Sequence, residues 1–340
     1  MKFKILTSLK EKPWGGGNQF LKALKFSLVN KGVYSEDINN SDCLIVNSHH
    51  FDFKVWHLYK LKKSKPSIRI IHRIDGPMSS VRGKRINILL DYVINSFNKN
   101  FADGTVFQSN WTSKNSKSKK LFLSNPIKVI HNAPDSRFFY KNKASIVGHK
   151  TKIMSTSWST NLKKGFDILS YLDQNLDYSK FEFYFVGNSP IKFKKIKHIE
   201  PLPSKELANL LREGHIYFSG SQIESCSNSL LEGMHCGLVP VAMNNSSHPE
   251  LVRNQDLIYQ STKDVIKVIE NIASNLEKYK KEINPDSIEK ISDEYIKFAR
   301  KIAKDYPKKF TFLNFLKFTI FLKLVYFFIN SVERLSKFKS

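Results

Sequence analysis

Short apolar runs alternate with amphipathic stretches along most of the chain. Apolar runs of four to eight residues are typical of buried strands, and apolar residues spaced three or four apart are typical of helices. In the first 140 residues this pattern predicts strands at 3–7, 43–47, 68–74, 104–108 and 128–131. It predicts helices at 19–30, 54–63 and 85–97.

The same alternation restarts after residue 150, beyond an aperiodic stretch at 138–149 that is typical of a linker. Strands are predicted at 152–156, 181–186, 215–218 and 238–242. Helices are predicted at 165–174, 204–212 and 228–236. Strands that alternate with helices form parallel sheets covered on both faces, and two such halves predict a ligand cleft at the carboxyl ends of the strands.

The last 35 residues differ in kind, with eight Phe, seven Lys or Arg and one acidic residue between 306 and 340. The longest uncharged run, 324–332, is too short for a spanning helix. On a helix, one arc is basic or polar (Lys309, Lys323, Asn330, Arg334 and Lys337). The opposite arc is apolar (Phe318, Phe321, Leu322, Val325 and Ile329). This pattern favours an interfacial helix on an anionic membrane; packing onto the protein core and a dimer contact are the alternatives.

Composition narrows the class of protein. With 340 residues, 41% hydrophobic and 13% aromatic, the chain is long and apolar enough for two folded domains. The net charge of +25 is compatible with nucleic acid, an anionic membrane or phosphate-bearing substrates, although a general lysine bias accounts for part of it. Three scattered cysteines and a first segment without a signal-peptide pattern predict a cytosolic protein.

Two carboxylates eight positions apart, Glu224 and Glu232, enclose a run of Ser and Asn residues. Ser and Asn favour helix N-caps, so a helix is predicted from Asn228, with Glu224 on the loop and Glu232 one to two turns inside. Free N–H groups at the helix start attract an anion. A nucleotide-sugar has hydroxyls at both ends and phosphate between them, and fits this layout. The alternative is a capped surface helix with a solvated glutamate.

Three other sites have residues suited to a phosphate or a sugar. The glycine turn 15–17 lies between the first strand and the first helix, where backbone can approach a phosphate closely. His72 and Arg73 end a strand and are suited to a sugar hydroxyl and a phosphate. Lys163 and Lys164 precede a helix opened by glycine, which suits a diphosphate leaving group. A structural turn, a structural histidine and solvated lysines are the respective alternatives.

Eight motifs occur in the order found in retaining GT-B glycosyltransferases of family 4, the glycosyl transferases group 1, which the chain resembles over about residues 3–305. They are Gly15-Gly-Gly17, Asp103-Gly-Thr-Val-Phe-Gln-Ser109, Val129-Ile-His-Asn132, Lys164-Gly-Phe-Asp167, Phe185-Val-Gly187, Glu224…Glu232, Gly237-Leu-Val-Pro-Val241 and His248-Pro-Glu-Leu-Val252. The resemblance implies a GT-B fold, with two Rossmann-like α/β domains facing across a cleft, to which this chain adds the amphipathic helical tail.

The resemblance also implies roles for the matching residues, and we predict His72, Lys164 and Glu224 as the catalytic ones. Glu224 would contact the donor sugar, His72 would sit near it, and Lys164 would hold the diphosphate. The other implied donor-binding residues serve the diphosphate (Lys163, Ser227, Asn228, Ser229, Gly16 and Gly17), the ribose (Glu232) and the base (Gly187 and Asn188).

Two positions depart from the family pattern. Trp158-Ser159 occupies the place of the usual Gly-Arg, which makes Lys163 a candidate substitute for the phosphate-binding Arg. Asn132-Ala133 replaces the usual Asn-Gly. The implied reaction retains the configuration at the anomeric carbon, uses no metal or other cofactor, and lets the leaving phosphate take the acceptor proton.

The sequence therefore predicts an acceptor-side domain at 1–140, a donor-binding domain at 150–285, a closing helix at 286–305 and a membrane-association tail at 306–340. The predicted protein is a glycosyltransferase that is peripheral on the cytoplasmic membrane face. Its predicted partners are a nucleotide-sugar donor, a glycan or lipid-linked acceptor and an anionic membrane, with no nucleic acid. The alternatives are a nucleotide-sugar epimerase of the same fold and a non-catalytic basic protein that binds membrane or nucleic acid.

Overall fold

The computed structural model describes residues 1–10, 15–51, 55–82, 86–122, 124–142 and 149–337, with side chains up to residue 332. The chain forms two compact units. Unit 1 comprises Met1–Ser8, Lys25–His131 and Ser292–Ser340, and unit 2 comprises Leu9–Leu24 and Asn132–Ile291. The chain thus crosses between the units several times, and its C-terminal segment returns to the unit that contains the first strand.

Each unit contains one fully parallel sheet. The strands of unit 1 are β1 (Phe3–Ile5), β2 (Cys43–Asn47), β3 (Arg69–Ile74), β4 (Gly104–Phe107) and β5 (Ile127–Val129), in the order β1-β2-β3-β4-β5. Those of unit 2 are β6 (Thr151–Ser157), β7 (Phe181–Gly187), β8 (Lys197–Ile199), β9 (Ile216–Ser219), β10 (Val239–Met243) and β11 (Ile258–Tyr259), in the order β11-β10-β9-β6-β7-β8.

Thirteen α-helices lie within the described residues and connect or follow these strands. They are α1 (Gly16–Asn30), α2 (Val55–Ser64), α3 (Met78–Arg82), α4 (Asn87–Phe101), α5 (Asn110–Ser118), α6 (Phe166–Asn175), α7 (Ser204–Leu211), α8 (Asn228–His235), α9 (His248–Val252), α10 (Val265–Ser274), α11 (Leu276–Glu282), α12 (Ile288–Ile302) and α13 (Phe312–Lys337). Short 3-10 turns cover Leu162–Lys164 and Gln255–Leu257.

The central strands are buried along their whole length, as parallel strands covered on both faces should be. Every residue of β2, β3, β4 and β9 is buried. In unit 2, helix α8 packs closely on β9 because Gly233 has no side chain: a Cβ there would overlap the Tyr217 ring. These contacts fix the position of the helix that follows the Glu224 loop.

The predicted α/β class and the two parallel sheets are confirmed. Each predicted strand and helix matches an observed one to within a few residues. The strands β8 and β11, which are only three and two residues long, were not predicted.

The C-terminal helix α13 differs from the sequence interpretation. The apolar arc predicted to face a membrane packs on unit 1: Phe318 and Val325 are only 1% and 5% exposed, in a cluster with residues of α2 and α4. A further difference is that Phe312–Val332, 21 residues, is long and apolar enough by length and composition to cross a membrane, contrary to the expectation from the run 324–332. Two isolated lysines interrupt residues 312–332 without making this segment polar.

Candidate functional site

The candidate site lies at the carboxyl edge of the unit 2 sheet. Strand β6 lies between β7 and β9 in the sheet. The chain adds β7 and β8 on one side of β6 and then β9 to β11 on the other side, so the strand order reverses between β6 and β9. In open α/β sheets a ligand crevice forms at such a switch point, just beyond the carboxyl ends of the strands. The loops that follow β6 and β9 carry Lys164 and Glu224 respectively.

The loop after β6 has a fixed conformation that presents Lys164. Asn161 caps the 3-10 turn through its side chain, and Gly165 follows in the left-handed region at φ 84°. A Cβ on Gly165 would overlap the carbonyl oxygen of Gly220 in the loop after β9, so the two loops touch through their glycine backbones. The Gln222 N–H also donates to the Lys163 carbonyl at 2.8 Å, which ties the same loops together.

Lys164 and Glu224 form the central ion pair of the site, with Nζ and Oε1 2.5 Å apart. Their side chains are 32% and 16% exposed. Burial alone would raise the pKa of Glu224, but the Lys164 ammonium outweighs it and holds that pKa below its usual value. The structure therefore joins two of the predicted site residues in one charged pair, while the neighbouring Lys163 side chain is half-buried.

The Glu224 loop is held by a turn that the sequence interpretation gave no role. The Glu224 N–H donates to Ser246 Oγ at 2.9 Å, and the Ser247 N–H donates to the Glu224 carbonyl at 3.3 Å. Ser246 has a φ of 51°, an uncommon value for a residue other than glycine. The only sequence feature near this turn is the family-like motif that begins at His248.

His248 is a buried histidine beside the ion pair. Its Nδ1 lies 3.2 Å from the Met243 carbonyl and its Nε2 lies 3.4 Å from Ser219 Oγ. Burial lowers its pKa, and the nearby Glu224 carboxylate opposes that effect only in part. At neutral pH His248 is therefore an uncharged imidazole that orders the strand ends around Glu224.

Helix α8 begins where the sequence predicted, with Ser227 as its N-cap. The Ser227 hydroxyl is buried and has no hydrogen-bond partner among the described residues. Asn228 accepts a hydrogen bond from Asn132 Nδ2 at 3.0 Å, and Ser229 hydrogen-bonds Tyr217. The first-turn N–H groups of α8 thus follow directly after the Glu224 loop, where a helix start favours an anion.

The glycine turn lies against the start of α8. A Cβ on Gly16 would be 2.5 Å from Nδ2 of Asn228, whereas one on Gly17 would meet nothing within 4 Å. The structure therefore places Gly16 and Asn228, two of the predicted donor-binding residues, close together. The residues 11–14 of the same loop lie outside the described residues.

Glu232 lies one turn into α8 and has an unusual protonation equilibrium. Burial raises the pKa of its carboxyl to about 8. The carboxyl is therefore mostly protonated at pH 7, unlike the ionised Glu224 four residues before α8. The two carboxylates of the 224–232 span differ in charge because, among the described residues, a lysine forms an ion pair with Glu224 and none does so with Glu232.

Gly187 and Asn188, predicted beside the base, join the ends of β6 and β7. Gly187 has a φ of 128°, and a Cβ there would overlap the Ser157 carbonyl oxygen. Asn188 Nδ2 donates to the Trp158 carbonyl at 2.7 Å. Both residues thus stabilise the loop that leads to Lys164, and the adjacent Trp158 ring is 45% exposed.

The placement of His72 corrects the sequence interpretation. The residue lies on β3 in unit 1 and its side chain is fully buried. Its Nε2 lies 2.9 Å from the Ser48 carbonyl, its Nδ1 lies 3.3 Å from Asn98, and burial lowers its pKa to about 4. A neutral, enclosed imidazole does not fit a direct contact with a sugar. The difference arises because β3 is buried on both faces, as central strands of a parallel sheet are, so no residue of this strand is exposed.

Residues 191–290 match the sequence model of a protein family described as "Glycosyl transferases group 1". The matched segment contains Glu224, Glu232, His248 and the start of α8, but lies beyond Lys163, Lys164, Gly187 and Asn188 in the chain. No curated protein matches the sequence.

The fold is similar to several solved structures at low sequence identity. HepE of Anabaena, in complex with UDP and glucose, is 13% identical, with coverage of 97% of this chain and 100% of that one and a TM-score of 0.62. A glycosyltransferase of Rickettsia africae is 15% identical, with coverage of 88% and 84% and a TM-score of 0.57. Sucrose-phosphate synthase of Thermosynechococcus elongatus is 11% identical, with coverage of 88% and 80% and a TM-score of 0.55. The chain thus has a GT-B-like α/β fold.

Proposed function

We propose that the protein is a glycosyltransferase that moves a sugar from a nucleotide-sugar donor to an acceptor. The observation that carries this proposal is the Lys164–Glu224 pair at the switch point of the unit 2 sheet, next to the N-terminus of α8. The match of residues 191–290 and the GT-B-like fold support the same assignment.

The proposed roles are those that the family resemblance implies, and the charges of Glu224 and Lys164 are compatible with them. Glu224, ionised, contacts the donor sugar, while Lys164 and Lys163 neutralise charge that develops on the leaving diphosphate. The N–H groups from Ser227 to Ser229 bind the same phosphates. Glu232 binds the ribose hydroxyls, and Gly187 and Asn188 lie beside the base.

We propose that the reaction retains the anomeric configuration, as in glycosyltransferase family 4, and needs no metal or cofactor besides the donor. The leaving phosphate takes the proton of the acceptor hydroxyl as the new glycosidic bond forms and the bond between sugar and phosphate breaks. The acceptor proposed is a glycan or a lipid-linked glycan at the cytoplasmic face of a membrane. The apolar helix α13 supports this choice of acceptor.

Binding of a nucleotide-sugar donor, and the identity of its nucleotide, are tested by measuring thermal unfolding of the full chain with UDP, GDP, ADP and CMP. A bound nucleotide should raise the midpoint temperature with its concentration, because a ligand of the native state stabilises it by mass action. UDP is the first choice, since UDP is present in the HepE structure. If none of the four nucleotides or their sugar derivatives raises the midpoint, the proposal is wrong.

The active residues are tested by donor turnover in Glu224→Gln and Lys164→Ala. Both should lose at least about 100-fold in rate, the scale of removing one preorganised electrostatic group. Exposed residues of the same types, in Glu206→Gln and Lys205→Ala, are the matched controls. Full activity in both site variants would refute the assignment of these residues. Formation of an epimerised sugar without acceptor would show that the protein is a nucleotide-sugar epimerase and not a glycosyltransferase.

A further inference from the structure

One face of helix α13 packs on unit 1. Phe315, Phe318 and Val325 are buried there, and the Phe318 ring lies 5.2 Å from that of Phe101 and 5.6 Å from that of Phe97. Because these buried residues extend from the first turn of α13 to its middle, α13 is an integral part of the unit 1 surface.

The segment before α13 is anchored by two buried charged side chains. Arg69 donates to the carbonyls of Ile302, Ala303 and Asp305 at 3.1, 2.9 and 2.7 Å. Asp103 accepts from the Lys308 N–H at 2.7 Å. Buried charges that bind backbone groups specify one conformation, so the chain enters α13 at a defined place on unit 1.

The opposite face of α13 is also apolar. A period of 3.6 residues places five exposed side chains in one row away from the buried face. This outer row consists of Leu313 (56% exposed), Leu316 (40%), Ile320 (51%), Leu324 (62%) and Phe327 (74%). The exposed residues Lys323 and Lys317 lie on its two flanks.

We propose that the outer row of α13 docks the protein on an anionic lipid bilayer, with the helix lying in the membrane plane. An amphipathic surface of this kind inserts its apolar row at the level of the headgroups while flanking lysines stay among them. A spanning orientation would remove Phe318 and Val325 from the unit 1 core. The in-plane orientation keeps every one of those contacts.

Charge complementarity favours a bilayer over a second copy of the chain. Residues 312–332 contain two lysines and no Asp or Glu. A self-complementary interface over residues 312–332 would therefore bring Lys317 and Lys323 together without a carboxylate from that segment, whereas anionic headgroups supply the opposite charge. Trp56 on α2, which is 40% exposed and whose ring lies 5.4 Å from that of Phe315, adds an aromatic ring of the kind enriched at membrane interfaces.

Docking is tested by co-sedimentation of the full chain with phosphatidylcholine vesicles that do or do not contain phosphatidylglycerol. Wild type should bind the anionic vesicles, and Ile320→Asn with Leu324→Asn should weaken binding by roughly tenfold or more. Val29→Asn, an exposed apolar position on α1, is the control and should bind like wild type. Binding needs no nucleotide, so it is independent of the proposed sugar transfer.

The contribution of Lys317 and Lys323 to membrane binding is tested by comparing their replacement with the replacement of two lysines elsewhere on the surface. Lys317→Gln with Lys323→Gln should weaken binding to anionic vesicles on the order of 20-fold and leave binding to neutral vesicles unchanged. Lys205→Gln with Lys267→Gln removes two exposed charges of unit 2 and should have a much smaller effect. Equal losses in the two pairs would show that net charge, and not this surface, holds the protein on lipid.

The in-plane orientation is tested with environment-sensitive probes on introduced cysteines, since the three native cysteines are buried. Probes at Leu313→Cys and Phe327→Cys are about 21 Å apart along the helix. Equal shallow depths in the bilayer support the proposal, and depths that differ by most of that distance would overturn it in favour of a spanning helix. Absence of vesicle binding, or a dimer that the outer-row variant dissociates, would also overturn it.

Discussion

Gly165 and Gly220 contact each other through their backbones, so closely that a Cβ on Gly165 would overlap the Gly220 carbonyl oxygen. One glycine follows Lys164 and the other begins the loop that carries Glu224. The distance between Lys164 and Glu224 therefore depends on two residues that have no side chains. This close approach also explains why the motif Lys164-Gly165 needs glycine at its second position.

Gly165→Ala should destabilise the protein by at least about 2 kcal/mol, since it combines a left-handed φ with backbone overlap. Gly32→Ala is the matched control, because Gly32 has a φ of 65° but no atom within 4 Å of a Cβ. Its expected cost is about 1 kcal/mol. Urea unfolding of both variants separates the cost of the left-handed φ, which both share, from the cost of the overlap with Gly220, which only Gly165→Ala has. Equal losses of unfolding free energy in the two variants would contradict the close contact.

Gly16→Ala and Gly17→Ala should have opposite effects although the residues are neighbours in α1. The first Cβ would be 2.5 Å from Asn228 Nδ2, while the second would lie in open space. We expect Gly16→Ala to lower the unfolding free energy by about 1 kcal/mol and Gly17→Ala to raise it by up to about 1 kcal/mol, from helix propensity. Differential scanning calorimetry measures both, and destabilisation by Gly17→Ala would contradict this geometry.

Lys164→Ala should destabilise the protein mainly at neutral pH. Lys164 holds the pKa of Glu224 below its usual value, so the pair stabilises the folded state above the unfolded-state pKa and loses this contribution as pH falls. The expected loss is about 2 kcal/mol at pH 7 and smaller at pH 4, below the usual pKa of 4.5, because the contribution of the pair declines as the pH falls toward the lowered pKa of Glu224. Denaturation at the two pH values measures it, and Lys164→Ala with Glu224→Gln should recover most of the loss at pH 7.

Much of the fold was predictable because apolar runs and turn residues determine parallel strands locally. The strand β2 was predicted to the residue, and the start of α8 followed from its Ser-Asn cap. The assignment of Lys164 and Glu224, 60 positions apart in the chain, to one site came from family resemblance and strand-end position, and their direct ion pair was not predicted.

Features set by tertiary packing could not be predicted. His72 was placed near a sugar because it precedes a strand end, but its ring faces the core beside Asn98. Helix α13 is apolar on two faces, so periodicity alone did not tell which face packs on protein. Ser246 holds the Glu224 loop across a distance of 22 residues, which no spacing rule connects.

Glu232→Gln should stabilise the protein at alkaline pH and not at acidic pH. Burial raises the pKa of this carboxyl from 4.5 to about 8. Between these values the unfolded state has lost its proton while the folded state keeps it, so stability falls as pH rises through this range and levels off above pH 8.

Gln is a neutral analogue of the protonated carboxyl, so Glu232→Gln removes the loss of stability that occurs as the pH rises. Since each pKa unit corresponds to about 1.4 kcal/mol, we expect a gain on the order of 2–4 kcal/mol at pH 8.5 and almost none at pH 4.5. Thermal and urea unfolding across this range measure the gain, with Glu206→Gln on the exposed side of α7 as the control. A gain that does not change with pH would mean that Glu232 is ionised in the folded protein, as a solvated glutamate on a surface helix would be.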